Sequence, residues 1–271
     1  MTAPAAPLAV ARRDHALWLT LDRPGARNGL DLDLVRALGA GLDAARADPD
    51  VHAVVIAAAG DVFCAGADLK LVAAMAAAGT EAAGLQRDFL AHVRVLFDRI
   101  EAFPKPVIAA VQGLAVAGGL ELVLVCDIVV AARSARFGDA HANVGLLPGG
   151  GATLRLPQRV GPSLARYLMF TGVDLPAAEL AHTDLVTLLV DDDQLECTVQ
   201  RTVERIAAKS VPGLARTKQL LRDAARSKPD AALDAEADAL AAHARTGDFA
   251  EGLAAFLEKR RPSFTDRGDL R

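Results

Sequence analysis

Two glycine-containing turns are the part of this sequence whose residues are best suited to chemistry. They are FCAGAD at residues 63–68 and AVAGGLE at residues 115–121. Each turn follows an apolar run, Val51–Ala58 or Val107–Val111, and leads into a stretch with helical character. Small residues let a backbone approach a ligand closely, and a helix N-terminus presents unpaired N–H groups with a favourable dipole. Two such turns facing one point would hold a thioester oxygen and stabilise its developing negative charge, which indicates enolate chemistry.

The elements that must position these turns alternate between strand and helix, which predicts an α/β fold. From Asp191 onward the pattern is helical, and we place the boundary between a core (residues 1–200) and a C-terminal helical region (residues 201–271). The predicted strands are Ala16–Leu21, Val51–Ala58, Val107–Gln112, Ile128–Ala132 and Leu185–Val190. The predicted helices are Asp31–Arg46, Leu69–Ala77, Glu81–Ala102, a segment ending near Cys126, Asp191–Lys209, Pro212–Ser227, Ala231–Thr246 and Asp248–Lys259.

Composition narrows the class of protein. The chain has 271 residues, of which 52% are hydrophobic, so it can bury a large core. A net charge of −4 with scattered basic residues argues against nucleic-acid binding. Three cysteines without metal-type spacing argue against a disulfide framework or zinc site. We find neither a signal peptide nor a membrane span in the sequence, and we expect a cytoplasmic protein.

Ten short motifs, from residue 21 to residue 260, together resemble the enoyl-CoA hydratase/isomerase (crotonase) superfamily. Each motif alone is weak, but their order and spacing are specific. In chain order they are LDRP (21–24), NGL (28–30), FCAGADL (63–69), KPVIAAV (105–111), GGLE (118–121), CD (126–127), FG (137–138), GL (145–146), RLP (155–157) and FLEKR (256–260). The resemblance implies a spiral of ββα units with a C-terminal helical region that forms trimers, often stacked into hexamers. It also implies acyl-CoA thioester substrates and no metal or redox cofactor.

The resemblance assigns the oxyanion hole to the backbone N–H groups of Ala67 and Gly118. A main-chain donor needs only a small side chain that leaves room for the thioester, which both residues provide. The alternative is that these are two ordinary tight turns.

Glu121 matches one of the two catalytic glutamates of the hydratases. It lies three residues after Gly118, and burial among apolar residues would let its carboxylate act as an acid or a base near neutral pH. The alternative is a first-turn glutamate that favours the helix dipole or closes a capping box.

His141 is where the sequence departs from the hydratase pattern, because the second catalytic glutamate of the hydratases falls at this position. A histidine can still bind water and exchange a proton near neutral pH, although it cannot act as a second carboxylate. A pocket-lining histidine without a chemical role is the alternative. Asp139 is a weaker candidate, since an extended loop would place its side chain on the same face as His141.

The coenzyme A contacts implied by the resemblance are less sharply defined. They comprise the turn after the first apolar strand, basic residues that could reach phosphates, and C-terminal residues that contact the nucleotide end. The alternative is that the basic residues are solvated surface charges and do not bind coenzyme A. The candidates are Arg23, Arg27, Ala65, Asp68, Lys70, Phe256 and Lys259.

Three functions remain open from the sequence. The first is an enoyl-CoA hydratase, in which Glu121 activates water and His141 assists. The second is a Δ3/Δ2-enoyl-CoA isomerase, which needs one carboxylate and the oxyanion hole but no held water. The third is an acyl-CoA-binding protein with little turnover, because function does not follow from fold. Gly149 stands where dienoyl-CoA isomerases of the family carry an aspartate, which argues against that activity.

Overall fold

Nine strands and eleven α-helices make up the computed structural model over residues 6–266, the part of the chain that it describes (the side chain of Ala76 excepted). The strands are β1 (Leu8–Arg13), β2 (Ala16–Leu21), β3 (Ala53–Ala58), β4 (Val107–Val111), β5 (Leu114–Val116), β6 (Ile128–Ala132), β7 (Arg136–Gly138), β8 (Asp174–Pro176) and β9 (Leu188–Val190). The helices are α1 (Leu32–Ala47), α2 (Leu69–Ala77), α3 (Ala82–Glu101), α4 (Gly118–Leu124), α5 (Ala152–Val160), α6 (Pro162–Thr171), α7 (Ala177–Leu180), α8 (Leu195–Ala207), α9 (Val211–Ala224), α10 (Pro229–His243) and α11 (Gly247–Leu257).

The large sheet has the strand order β1-β2-β3-β4-β6-β9. Only β1 pairs antiparallel, and the remaining pairs are parallel. Alternate residues of its central strands enter two separate apolar clusters: Leu19, Val54 and Ile56 face the main core with α1 and α3, whereas Trp18 and Val55 face α8. Both faces of these strands are therefore buried, which explains why they read as continuous apolar runs.

A second sheet of three short strands, in the order β5-β7-β8, runs beside the large one. The chain passes from β4 in the large sheet to β5 in the small sheet, through α4, and then to β6 and β7 in the same two sheets. This repeated strand–strand–helix unit confirms the predicted α/β class and the ββα units. Within residues 6–266, no helix is long and apolar enough to cross a membrane.

The sequence reasoning missed β1, β5, β7 and β8 and the short helices α6 and α7. Three of these strands have only three residues, too few for an alternating pattern to be recognised. β1 carries only one buried residue, Leu8, so its sequence gives no core-facing signal. The predicted boundary at residues 200 and 201 falls inside α8, whose Val199 and Val203 pack against the large sheet.

Helix α9 is anchored to the core by one ion pair. Lys218 Nζ lies 2.6 Å from Asp127 Oδ2 and 3.3 Å from the carbonyl oxygen of Ile100 at the end of α3. The same Asp127 oxygen accepts a 2.7 Å hydrogen bond from the N–H of Val107, the first residue of β4. Lys218 thus joins the C-terminal helices to the start of the strand that leads into the second turn.

We expect Lys218→Met to lower the free energy of unfolding by about 1–3 kcal/mol, because it leaves the partly buried Asp127 carboxylate without its cation. Urea denaturation at a fixed protein concentration measures the change. The exposed Lys209, changed to Met as a control, should shift stability by no more than about 0.5 kcal/mol. Equal effects of the two substitutions would show that the ion pair does not anchor α9.

Candidate active site

The two glycine turns are joined to each other by backbone hydrogen bonds. Cys64 N–H donates to Leu114 O and Val116 N–H donates to Cys64 O, both at 3.0 Å. On the other side of the first turn, Leu30 N–H donates to Gly66 O at 2.7 Å. The first turn is therefore held between β5 and the segment before α1, which places Gly66 against Gly118.

Small residues are required where the two turns meet. Gly66 has a φ of +94°, and a Cβ added there would lie 3.1 Å from Gly118 N. A Cβ added at Gly118 would lie 3.5 Å from Ala67 N. The backbone amides of Ala67 and Gly118 are thus neighbours in space although 51 residues apart in sequence. Ala117, just before Gly118, has a φ of +50°, a conformation that L-residues rarely adopt.

The N–H groups of Ala67 and Gly118 donate no hydrogen bond within residues 6–266. Gly118 is the first residue of α4, so its N–H has no partner inside the helix. Both residues line the same cavity. Two free amide donors beside one cavity form the arrangement that stabilises a carbonyl oxygen as it gains negative charge.

Asn28 holds the first turn from behind, a role that the sequence reasoning did not assign. Its amide nitrogen donates to the carbonyl oxygens of Ala59 and Val62 at 2.9 and 2.7 Å, and its oxygen accepts from Arg23 N–H at 2.8 Å. The side chain is fully buried and its φ is +53°. The signal available in the sequence is the pair Asn28-Gly29, since asparagine tolerates positive φ and bonds to nearby backbone groups.

Glu121 projects from the first turn of α4 and is 3% exposed. Its Oε1 accepts hydrogen bonds from the N–H groups of Gly150 and Ala152 at 2.8 and 3.0 Å. Burial raises the pKa of Glu121 and outweighs those two hydrogen bonds and the charge of His141, which lower it. The carboxylate is therefore fixed by one oxygen and tuned toward neutral pH, while its other oxygen, Oε2, has no hydrogen-bond partner within residues 6–266.

The glycine run at residues 149–151 has two uses. It starts α5 at Ala152, and its backbone holds Glu121, a contact that the sequence reasoning did not foresee. Arg155 stabilises the run, because its guanidinium donates to Gly150 O at 3.0 Å and pairs with Glu101 at 3.2 Å. Burial opposes ionisation of Glu101, but the hydrogen bond and charge of Arg155, with the charges of Arg226 and Arg222, lower the pKa of that carboxyl.

His141 lies beside Asp139, directly after β7. Its Nδ1 is 2.8 Å from Asp139 Oδ1, and burial, which lowers the pKa of His141, is outweighed by Asp139 and by the charge of Glu121, which raise it. His141 and Glu121 line the same cavity. The structure thus brings together the four residues predicted as catalytic or oxyanion-hole residues.

The cavity has a volume of about 150 Å³ and is mostly apolar. Its titratable side chains are Glu121 and His141, and Gln86 contributes the other polar side chain of the lining. The Cys64 thiol of the first turn is fully buried, and burial raises its pKa to about 12. The apolar side chains of the lining are Leu30, Val72, Met75, Phe89, Leu90, Val93, Leu146 and Leu147, with Ala82 completing the wall.

The residues predicted to bind coenzyme A differ in their exposure and in their contacts. The guanidinium of Arg23 is engaged by Asp31 and Asp68, at 2.8 and 2.9 Å, and by the carbonyl oxygen of Gly29. Asp68 also caps α2, where its Oδ1 accepts from Lys70 N–H at 2.9 Å. Both side chains therefore hold the local fold of the first turn.

The other candidates are more accessible. Arg27 and Lys70 are exposed next to the first turn, and Ala65 N–H donates to Arg27 O at 3.1 Å. Phe256, at 80% exposure, and the exposed Lys259 lie at the end of α11 or just after it, and no hydrogen bond or ion pair within residues 6–266 joins them to either turn.

Fold and site together define an α/β enzyme that places two free backbone amides and the buried Glu121 carboxylate beside one apolar cavity, and comparison with known proteins agrees. Residues 13–267 match the family model described as enoyl-CoA hydratase/isomerase. The chain belongs to this family.

Individual relatives cover nearly the full length. A crotonyl-CoA hydratase from Syntrophomonas wolfei is 36% identical over 92% of this chain and 94% of its own. A 2,3-dehydroadipyl-CoA hydratase from Escherichia coli is 38% identical over 96% and 99%, respectively. The crystal structure of an enoyl-CoA hydratase from Polaromonas sp. JS666 superposes with a TM-score of 0.91 at 32% identity, covering 95% of this chain and 99% of that one.

Gly150→Ala should destabilise the site, because the added Cβ would lie 2.7 Å from both Glu121 Oε2 and Phe97 Cε2. We expect overpacking to lower the free energy of unfolding by about 1–3 kcal/mol, measured by urea denaturation. Gly25→Ala is the matched control, since a Cβ at Gly25 meets no atom within 4 Å. If the two variants were equally stable, the Glu121 carboxylate would be free to move away from the turn.

Proposed function

We propose that this protein is an enoyl-CoA hydratase that adds water across the double bond of a 2-enoyl-CoA. The observation that carries the proposal is the buried Glu121 carboxylate, held by Gly150 and Ala152, in the cavity that also receives the free N–H groups of Ala67 and Gly118. The family membership and the hydratase relatives support the same reaction.

Each group has a role that follows from its chemistry. The Ala67 and Gly118 amides bind the thioester oxygen and stabilise the enolate, which lowers the barrier because these interactions strengthen as charge develops. Glu121 positions a water through Oε2 and accepts its proton as the hydroxyl adds to C3. His141 supplies the second proton-exchanging group of the site. We propose that the reaction needs no metal or redox cofactor, and coenzyme A enters as part of the substrate.

The lining favours an apolar acyl chain. Beyond the reacting end, the cavity presents leucine, valine, methionine and phenylalanine side chains and the single amide of Gln86. A substrate with a terminal carboxylate would place an unpaired charge among these groups, which costs several kcal/mol. We therefore choose crotonyl-CoA, with its short hydrocarbon chain, as the test substrate.

The second candidate is a Δ3/Δ2-enoyl-CoA isomerase. One observation favours it: among the residues that line the described cavity, Glu121 is the only carboxylate. Moving a proton between the α and γ carbons needs one base and the oxyanion hole, whereas hydration also needs a held water.

Wild-type protein should convert crotonyl-CoA to a product that has gained one water, identified by mass spectrometry. Glu121→Gln should lower that turnover by about 10²–10⁴-fold, because glutamine cannot accept the proton from water. Binding of the acyl-CoA by calorimetry should stay within a few-fold, since the amide keeps the size of the side chain.

Other outcomes decide between the candidates. No hydration, with the double bond of a 3-enoyl-CoA moved into conjugation, would establish the isomerase. Tight binding without any conversion would establish an acyl-CoA-binding protein. Full turnover by Glu121→Gln would remove Glu121 from the mechanism.

For coenzyme A we propose the first turn as the binding surface. The exposed cations Arg27 and Lys70 flank it and are available for phosphates, whereas Arg23 acts indirectly by bracing Asp68. Phe256 and Lys259 would contact the nucleotide end of coenzyme A from a neighbouring subunit.

We place the protein in the cytoplasm, where the reduced state of Cys64, Cys126 and Cys197 is maintained.

We also propose that the protein assembles as a trimer or as a hexamer of two trimers. Leu221, Leu233 and Leu240 are each more than 60% exposed on α9 and α10, and they line a groove of about 780 Å³ between these helices. Apolar surface of this kind marks interaction sites.

Light scattering after gel filtration should give a mass of three or six chains. The double variant Leu233→Asp/Leu240→Asp should dissociate, because it introduces charge into the apolar groove. Val10→Asp, at a position 51% exposed on β1, is the control and should keep the wild-type mass. A monomeric wild-type protein would refute the proposal.

A further inference from the structure

The loop between β7 and α5 contains a pair of titratable side chains, the buried Asp139 and the part-buried His141. Asp139 Oδ1 is 2.8 Å from His141 Nδ1 and 3.3 Å from the backbone N of His141. A carboxylate in this position accepts the Nδ1–H hydrogen, so Nε2 is the ring nitrogen left for other partners. No hydrogen bond within residues 6–266 uses Nε2, and the residue lines the cavity that contains Glu121.

Asp139 is costly for the fold. The residue is 1% exposed, and its Oδ2 is buried without a hydrogen-bond partner in the described part of the chain. A buried, half-satisfied carboxylate costs free energy that a purely structural role would not require, and such groups concentrate at functional sites.

The pair is also fixed relative to the oxyanion hole. Ala117 N–H donates to Gly138 O at 3.1 Å, which ties the residue before Gly118 to the residue before Asp139. Gly138 itself is closely packed, since a Cβ there would lie 2.6 Å from Val173 O. The position of the pair is therefore set by the same backbone that sets the second turn.

We infer that Asp139 is a positioning residue that holds His141 as an imidazolium, and that His141 Nε2–H is the proton donor to C2 of the enolate. The His–Asp pair thereby replaces the second carboxylate of the hydratases. The inference rests on the proposed hydratase function. It adds that His141 is the second acid, that it is protonated in the resting state, and that Asp139 positions it.

Every proton is accounted for over one turnover. Glu121 takes a proton from water while the oxygen of that water bonds to C3, and the electrons of the C2–C3 double bond move onto the thioester oxygen. His141 Nε2 then gives its proton to C2, and the thioester carbonyl reforms. The product has gained one water, and the proton on Glu121 returns to the neutral imidazole to restore the resting state.

The charged groups that act on His141 within residues 6–266 are Asp139, from its own loop, and Glu121, from α4. Both are carboxylates, and both favour the protonated imidazole. Because Glu121 must be ionised to act as the base and His141 must carry its proton to act as the acid, turnover should be present between the pKa of Glu121 and that of His141, and should be lost as the pH rises through the pKa of His141.

Asp139→Asn tests this directly, because asparagine keeps the shape and an oxygen acceptor but removes the charge. Histidine-labelled protein, titrated by NMR and assigned with a His141→Gln sample, should show the His141 pKa falling by about one unit or more. The alkaline limb of kcat should move to lower pH by the same amount, while KM changes by less than a few-fold. Asp174→Asn, which removes the surface partner of Arg136, is the control and should move neither quantity.

A double-mutant cycle separates positioning from a general structural effect. At a pH above the His141 pKa of the variant, Asp139→Asn should lower kcat about tenfold in the wild-type background. In the His141→Gln background it should cost less than about twofold, since the residue through which it acts is gone. An equal loss in both backgrounds, or an unshifted His141 titration, would overturn the inference. A protein that shifts its histidine titration as expected but hydrates no enoyl-CoA would instead refute the proposed function alone.

Discussion

The backbone pairing between the two glycine turns is the constraint on which the rest of the site depends. The backbone of Cys64 forms hydrogen bonds with the backbones of Leu114 and Val116, so the first turn extends the small sheet. This pairing brings the amides of Ala67 and Gly118 to one point without any side chain at the point itself. Because the second turn begins in β5 and the first turn pairs with that strand, the separation of the two amides is set by the backbone hydrogen bonds of the small sheet.

The site combines this rigid backbone with groups whose charge is set by burial. Glu121 is removed from water yet retains two backbone donors, so it is held in place without being locked in its ionised form. The glycine run that supplies those donors is in turn held by Arg155 and Glu101. A chain of polar contacts therefore runs from Glu101 of α3 through Arg155 and Gly150 to Glu121.

Family membership explains the shared parts of the site, and the departures show what is particular to this chain. The free amides of Ala67 and Gly118 and the Glu121 carboxylate line one cavity with His141, at the position where the resemblance implies a second glutamate. The neighbouring Asp139, two residues away, gives that histidine a carboxylate partner. The sequence reasoning considered Asp139 only as sharing the face of His141, and the contact between the two side chains emerged from the structure.

The sequence by itself determined the fold class, the long strands and helices, and the positions of both turns, because these follow from local periodicity, glycine placement and motif order. The helices α1 and α3 and the strand β2 agree with prediction to within one residue. What only the tertiary structure decided is which distant backbone groups meet: Asn28 with Ala59 and Val62, and Glu121 with Gly150. Such contacts join residues about 30 apart through main-chain atoms, which all residue types share, so no local pattern records them. The short strands β5, β7 and β8 escaped prediction for a related reason, since three residues acquire strand geometry only from the neighbours with which they pair.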